Sequence, residues 1–256
     1  MLSYQHIYHA GNPADVHKHA LLCVMLDYMT AKAKPLSYVE THAGRGLYAL
    51  DAPEARRTGE AAAGIGRLRG GFAGDHPYMR ALARVQMRHG PNAYPGSPLL
   101  AAEMLRPGDA THLAELHPQE HAALVRTMQG SGAHVHRQDG FEMAMALCPP
   151  MPRRGLMLID PSYEVKADYD RIPGLIGQLH RKWNVGVIAL WYPILTSGVH
   201  QAMLASLDLP DALRHEVGFA PVRHGHRMIG SGMFVVNPPW GIADEAARLS
   251  VLFASG

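Results

Sequence analysis

Asp160-Pro161-Ser162-Tyr163 sets a carboxylate, a stiffly held peptide carbonyl and an aromatic ring within four residues, directly after the apolar run from Gly155 to Ile159. An amino group on an aromatic ring is a poor nucleophile, because its lone pair is delocalised. Two acceptors, the Asp160 side chain and the Pro161 carbonyl, can hold its N–H bonds so that the lone pair faces an electrophile while Tyr163 stacks on the ring. A β-turn of Asp-Pro type accounts for the same residues. A second candidate, Asn237-Pro238-Pro239-Trp240, matches the amine-holding pattern of Asn or Asp, Pro-Pro and an aromatic residue more closely. Only the position of each turn in the fold separates them.

Three further sites accompany Asp160. Glu40-Thr41-His42-Ala43-Gly44-Arg45-Gly46 follows a strand-like run, and glycines there let the backbone approach a nucleoside, although an ordinary tight turn needs the same residues. Glu115 closes a later strand, where a carboxylate accepts hydrogen bonds from two ribose hydroxyls; its bland reading is a surface acid before Pro118. Asp139-Gly140 follows a third strand, suited to an adenine amino group or to capping the helix from Phe141. With Asp160 they make successive strand ends facing one crevice.

The N-terminus is rich in histidine, with His6, His9, His17 and His19 near Tyr4 and Lys18. A metal hydrolase built on these four is a different-class alternative. However, His17 and His19 point apart on a helix, and no carboxylate pattern completes a site, so no metal is expected. Tyr4 suits a flipped base, Lys18 a phosphate, and His19 a position beside a cofactor.

The elements that must place these residues alternate. Asn12, Pro13 and Asp15 open a helix that Pro35 ends. Strands are expected at Leu36 to Glu40, Thr111 to Glu115, His134 to Gln138, Gly155 to Asp160 and Val185 to Trp191. Helices are expected at Gln119 to Met128, Phe141 to Leu147 and Asp168 to Lys182. Arg214 to Phe219 and Gly232 to Asn237 read as a closing antiparallel hairpin. The pattern predicts a mostly parallel α/β sheet with helices on both faces, interrupted over 51–95 by a helical insertion without a convincing strand. One domain, residues 1–256, holds all of this.

Composition limits the function classes. At 47% apolar and 18% charged residues the chain is a globular protein, and its apolar runs fall short of a bilayer span. The first residues lack the plan of a signal peptide, so a cytoplasmic protein is expected. Two cysteines do not make a disulfide framework, and a net charge of +2 permits an RNA partner without requiring one.

Taken in order, several stretches resemble the bacterial 23S ribosomal RNA adenine-N6 methyltransferases that modify adenine 2030. They are Tyr4, His9-Ala10-Gly11-Asn12, Asp15, Lys18-His19, Thr41-His42-Ala43-Gly44, Tyr94-Pro95-Gly96-Ser97-Pro98, Glu115-Leu116-His117-Pro118, Asp139-Gly140, Asp160-Pro161, Leu190-Trp191-Tyr192-Pro193 and Asn237-Pro238-Pro239-Trp240. The resemblance implies a Rossmann-like class I methyltransferase with a seven-stranded sheet, S-adenosyl-L-methionine as methyl donor, 23S ribosomal RNA as partner and no metal; with no obligate protein partner evident in the sequence, a monomer is expected. The same resemblance implies cofactor contacts at His19, His42, Ser97, Glu115, Asp139, Gly140 and Asp160, the catalytic acceptor at Asp160, and substrate contact at Tyr4. Gly44 belongs to the same cofactor turn. Where the family pattern has a second proline this chain has Ser162, which makes the turn less rigid. A DNA adenine methyltransferase would share the base chemistry, and an RNA-binding protein without turnover would share the fold.

Overall fold

A computed structural model of the chain describes residues 4–209, 211–221 and 227–255. Helix α1 (Pro13–Thr30) starts as its sequence dictates: Asn12 accepts the Asp15 N–H at 2.8 Å and Pro13 fills the first turn. Strand β1 (Ser37–Glu40) follows. β2 (Leu47–Ala49) then pairs antiparallel with β3 (Ala93–Pro95), and between them lie α2 (Pro53–Thr58) and α3 (Pro77–His89). The strand at Ala93–Pro95 corrects the reading of 51–95 as strandless. Three residues carry no periodicity of their own, and the partner that makes them a strand lies far away in sequence. Leu68, Phe72, Tyr78 and Leu82 from this stretch share one core with Leu22, Met25 and Leu26 of α1.

Regular alternation resumes with α4 (Ser97–Met104), β4 (Ala110–Ala114), α5 (Pro118–Thr127), β5 (His134–His136), α6 (Gly140–Leu147), β6 (Gly155–Ile159) and α7 (Asp168–Lys182). The chain continues through β7 (Val187–Leu195), α8 (His200–Ala205), β8 (Leu213–Gly218), β9 (Met228–Val236) and α9 (Ile242–Ala254). The sheet runs β5-β4-β1-β6-β7-β9-β8, parallel from β5 to β7, with β9 antiparallel to both neighbours. Every expected strand is present. β7 and β9 are longer than expected because they pair from Ile188↔Val236 to Leu195↔Met228. α9 was not expected, yet its Ile242, Ala246, Leu249 and Phe253 are buried at helical spacing.

Chain order reverses between β1 and β6, so a crevice opens at the carboxyl ends of the parallel strands. On one face α1 packs among α3, α4, α9 and β9, and it is buried over most of its surface, including Asp15, His17, Lys18 and His19. On the other face Phe141 of α6, Ile176 and Leu179 of α7 and Met203 of α8 pack on Met157, Ile159, Ile188 and Leu190.

The start of α6 crosses the chain just beyond β1, and only hydrogen fits there: a Cβ on Gly140 would overlap the Thr41 carbonyl. Gly140→Ala should therefore lower stability by about 1–3 kcal/mol, read as a shift of the urea midpoint at constant slope. An unchanged midpoint would show that the two segments part easily.

Candidate active site

Asp160, directly after β6, lies in a cavity of about 400 Å³ at the carboxyl ends of the strands. Pro161 and Tyr163 line the same wall, and so do His19, His42, Gly44, Ser97, Glu115, Asp139, Gly140, Tyr4 and Lys18. The fold thus gathers the expected catalytic, cofactor and substrate residues around one cavity. Asn237 lies elsewhere. β9 runs antiparallel, so its last residues lie beside the start of β7, at the opposite end of the sheet. There the Asn237 amide donates to the carbonyls of Asn184 at 3.0 Å and Gly186 at 2.7 Å.

Each strand end has its own local cause. Gly44 and Gly46 both take positive φ, which turns the chain sharply after β1. Glu115 fixes that turn: one oxygen accepts the Gly44 N–H at 2.9 Å and the other accepts the His117 N–H at 2.7 Å. Each oxygen keeps a further lone pair toward the cavity. Burial raises the Glu115 pKa against those two backbone bonds. Asp139 caps α6, one oxygen accepting from Phe141 N at 2.8 Å and Glu142 N at 3.0 Å, so its capping and cavity-lining roles coexist. Tyr163 takes a left-handed φ of 57°, a costly conformation for a bulky residue. Its side chain supports the turn: the hydroxyl donates to the Trp191 carbonyl at 2.7 Å and the ring packs against Tyr169 at 4.6 Å.

Lys18 differs from its expected place on a phosphate. It is 5% exposed, and its Nζ lies 2.5 Å from Asp160 Oδ2 and 3.2 Å from Asp15 Oδ1. The helix that carries it is packed inside the fold, so its charge must be met by buried carboxylates. Burial acts to lower the Lys18 pKa, but Asp160 and Asp15 outweigh it and the net shift is upward. Burial likewise acts to raise the Asp15 pKa, and His6, Lys18 and His19 hold it well below the carboxylate range.

The N-terminal histidines have separate tasks. His6 meets Asp15 at 2.8 Å, His9 meets Glu60 at 3.0 Å, His17 meets Ser231 at 2.9 Å and His19 meets Tyr94 at 3.0 Å. Among the described residues no group of three or more His, Cys, Asp and Glu could hold a metal. Burial lowers His19 to about 3 and His42 to about 4, so both imidazoles are neutral near pH 7. Buried His19 Nε2 has no hydrogen-bond partner among the described residues. An unpaired polar atom on a cavity wall fits a site built for a polar ligand.

Three residues at or behind the cavity wall were named from the sequence without a role there. Asp15 looked like a helix-start acid, Glu40 like the last residue of a strand, and Trp191 had no role assigned. Glu40 ends β1 and Trp191 closes the strand expected from Val185, which was the available signal for the latter two; in the structure β7 runs on to Leu195. Glu40 is fully buried, with Tyr38 donating its hydroxyl to Oε2 at 2.8 Å and Ser97 donating to Oε1 at 2.5 Å.

Sheet order, crevice and strand-end carboxylates define a class I S-adenosylmethionine-dependent methyltransferase fold. Residues 33–255 match the family described as "Ribosomal RNA large subunit methyltransferase D, RlmJ", and the chain belongs to that family. It is 38% identical over 254 residues to ribosomal RNA large subunit methyltransferase J of Escherichia coli (strain K12), covering 96% of this chain and 90% of that one. Identity to the protein of that name from Haemophilus influenzae is 37% over 263 residues, covering 97% and 92%. A crystal structure of protein LPL1258 from Legionella pneumophila str. Philadelphia 1 superposes with a TM-score of 0.87 at 34% identity, covering 97% of this chain and 95% of that one. No helix among the described residues is long and apolar enough to cross a membrane.

Burial raises Glu40 from an ordinary 4.5 to about 8, against the hydrogen bonds from Ser97 and Tyr38. At neutral pH the Glu40 carboxyl then holds its proton. Because the folded state holds this proton more tightly than the unfolded chain, the associated stability is complete below pH 4.5 and is lost as pH rises through about 8. Glu40→Gln removes that titration. Urea unfolding from pH 5 to 9 should show wild type losing stability relative to Glu40→Gln across this window, and parallel curves would mean that Glu40 is ionised throughout.

Proposed function

We infer that this protein transfers a methyl group from S-adenosylmethionine to the exocyclic N6 of one adenine in 23S ribosomal RNA. The observation carrying the reading is Asp160. It is a carboxylate at the end of β6, its side chain 13% exposed, beside Pro161 and charge-paired with Lys18 on the wall of a nucleoside-sized cavity. Both curated relatives bear the name of a ribosomal RNA large subunit methyltransferase, which supports RNA as the substrate.

Bound S-adenosylmethionine supplies an electrophilic methyl on a sulfonium. His19, His42, Gly44, Ser97, Asp139 and Gly140 line its half of the cavity, and Glu115 offers its remaining lone pairs to the ribose hydroxyls. The adenine is flipped out of its RNA so that its amine can reach Asp160. Tyr4, 37% exposed at the mouth, meets the incoming nucleotide. Lys18 fixes the Asp160 carboxylate by its Oδ2, which leaves Oδ1 to accept one N–H of the amine. The Pro161 carbonyl accepts the other, and Tyr163 with Trp191 supplies the aromatic wall.

Held in this way, the nitrogen lone pair points at the methyl group. The bond formed to the methyl would replace the methyl's bond to sulfur, which would keep that electron pair; the nitrogen would retain both hydrogens and carry a positive charge, which Asp160 would stabilise until one proton departs to solvent. Asp160 is thus an orienting acceptor and electrostatic partner. The side-chain bonds of Tyr163 support the turn that Ser162 leaves without a second proline.

Mass spectrometry of ribosomal RNA nucleosides from a deletion strain and its complement tests the reading. N6-methyladenosine should disappear from one large-subunit site and return on complementation. Unchanged RNA, with methyl transfer to duplex DNA instead, would sink it. Asp160→Ala should abolish transfer of tritiated methyl in a folded protein. Asn237→Ala should keep the rate and lose about 1–2 kcal/mol of stability as its bonds to two carbonyls vanish. The opposite pairing of effects would move the catalytic turn to Asn237.

A further inference from the structure

The Trp191 ring lines the cavity, with Lys18 Nζ 5.6 Å from its centroid and the Tyr163 ring 6.0 Å away. Its N–H is directed into the protein, donating to Ser231 Oγ on the neighbouring strand β9 at 2.9 Å. Ser231 and His17 are fully buried, and neither lines the cavity. Behind Ser231 the contacts continue outward. His17 Nδ1 lies 2.9 Å from Ser231 Oγ, and His17 Nε2 lies 2.9 Å from His215 Nδ1 on β8. His215 Nε2 lies 2.9 Å from Ser250 Oγ on α9, and Ser250 donates to the Ala246 carbonyl at 3.2 Å.

Elementary donor rules give this chain a direction. An indole N–H can only donate, so the Ser231 oxygen accepts there; at the far end Ser250 gives its hydrogen to the Ala246 carbonyl and so accepts from His215 Nε2, and with both imidazoles neutral this makes Ser231 the donor to His17 Nδ1. His17 then carries its proton on Nε2 and donates to His215 Nδ1. His215 in turn carries its proton on Nε2 and donates to Ser250. Each group donates once along the line, and both imidazoles are neutral. Burial, which lowers the pKa of His17 and of His215, favours that state. The terminal carbonyl sits in α9, the helix that packs on α1 and β8.

We propose that Ser231 and His17 are positioning residues for methyl transfer, acting through this one-way hydrogen-bond chain to fix the plane of the Trp191 indole against the bound base. The inference rests on reading the cavity as a base-methylating site. A tryptophan on a partly open wall has two torsions to settle. A single bond at Nε1, backed by a buried acceptor that is itself oriented, selects one ring plane. Reactions that depend on lone-pair alignment are sensitive to such placement.

Two measurements on the full chain test this. The protein has three tryptophans, so the Trp191 indole N–H resonance is identified by its loss in Trp191→Phe. Ser231→Ala and His17→Leu should shift that resonance and speed its exchange. His17→Asn should leave it near wild type, because its amide oxygen can take the place of Nδ1.

In methyl transfer to unmodified 23S ribosomal RNA, Ser231→Ala should lower kcat about three- to tenfold, the worth of one hydrogen bond. Calorimetric affinity for S-adenosylmethionine should stay within about twofold of wild type. Ser231→Ala added to Trp191→Phe should cost nothing further. Additive effects in the double variant, or an unmoved indole resonance in both Ser231→Ala and His17→Leu, would overturn the proposal. If wild type itself forms no N6-methyladenosine, the base-methylating reading fails instead, and the resonance experiment still reports on the chain.

Discussion

The structure turns on a charge that cannot reach water. Lys18 projects from a helix packed between a sheet and three other helices, and Asp15 and Asp160 pair with it there. Charges removed from water demand partners with good geometry, and removing one partner typically costs about 3–5 kcal/mol. The first helix is therefore fastened to the end of the fourth parallel strand of the sheet. The same contact orients the carboxylate on which the proposed chemistry depends. Folding and catalysis share one interaction, so the site cannot be assembled without seating α1.

Around that contact the tasks are divided by strand direction. The parallel strands deliver Glu40, Glu115, Asp139 and Asp160 to one edge, because each β-α unit places its carboxyl end on the same side. The antiparallel β9 enters from the other direction, so it brings Ser231 behind the site and carries Asn237 away from it. The N-terminal arm lines the remaining side through Tyr4, His6 and His9, and His9 meets Glu60 of the 51–95 stretch. Neutral histidines are well suited to such surroundings. They supply a donor and an acceptor in a fixed line without the cost of a buried charge. That accounts for His17 and His19, two residues apart on one helix and serving different neighbours.

The sequence by itself determined much of this. Alternating apolar runs and caps such as Asn12 and Asp139 are local signals, and the strands and their order followed from them. The strand-end acids and glycines were legible for the same reason, since a residue closing a strand in an α/β fold faces the crevice. The resemblance across the chain then assigned roles that no single motif carried. Only the tertiary structure decided the rest. Lys18 reads as an exposed cation until the burial of α1 is known. Ala93–Pro95 is a strand only beside Leu47–Ala49, and α9 was not read at all. The direction of β9 carries the better-matching Asn237 turn to the end of the sheet away from the cavity, and the line from Trp191 to Ser250 joins strands and helices distant in sequence. Hydrogen bonds and ion pairs between such segments depend on which surfaces meet, and a linear pattern records only what each surface is made of.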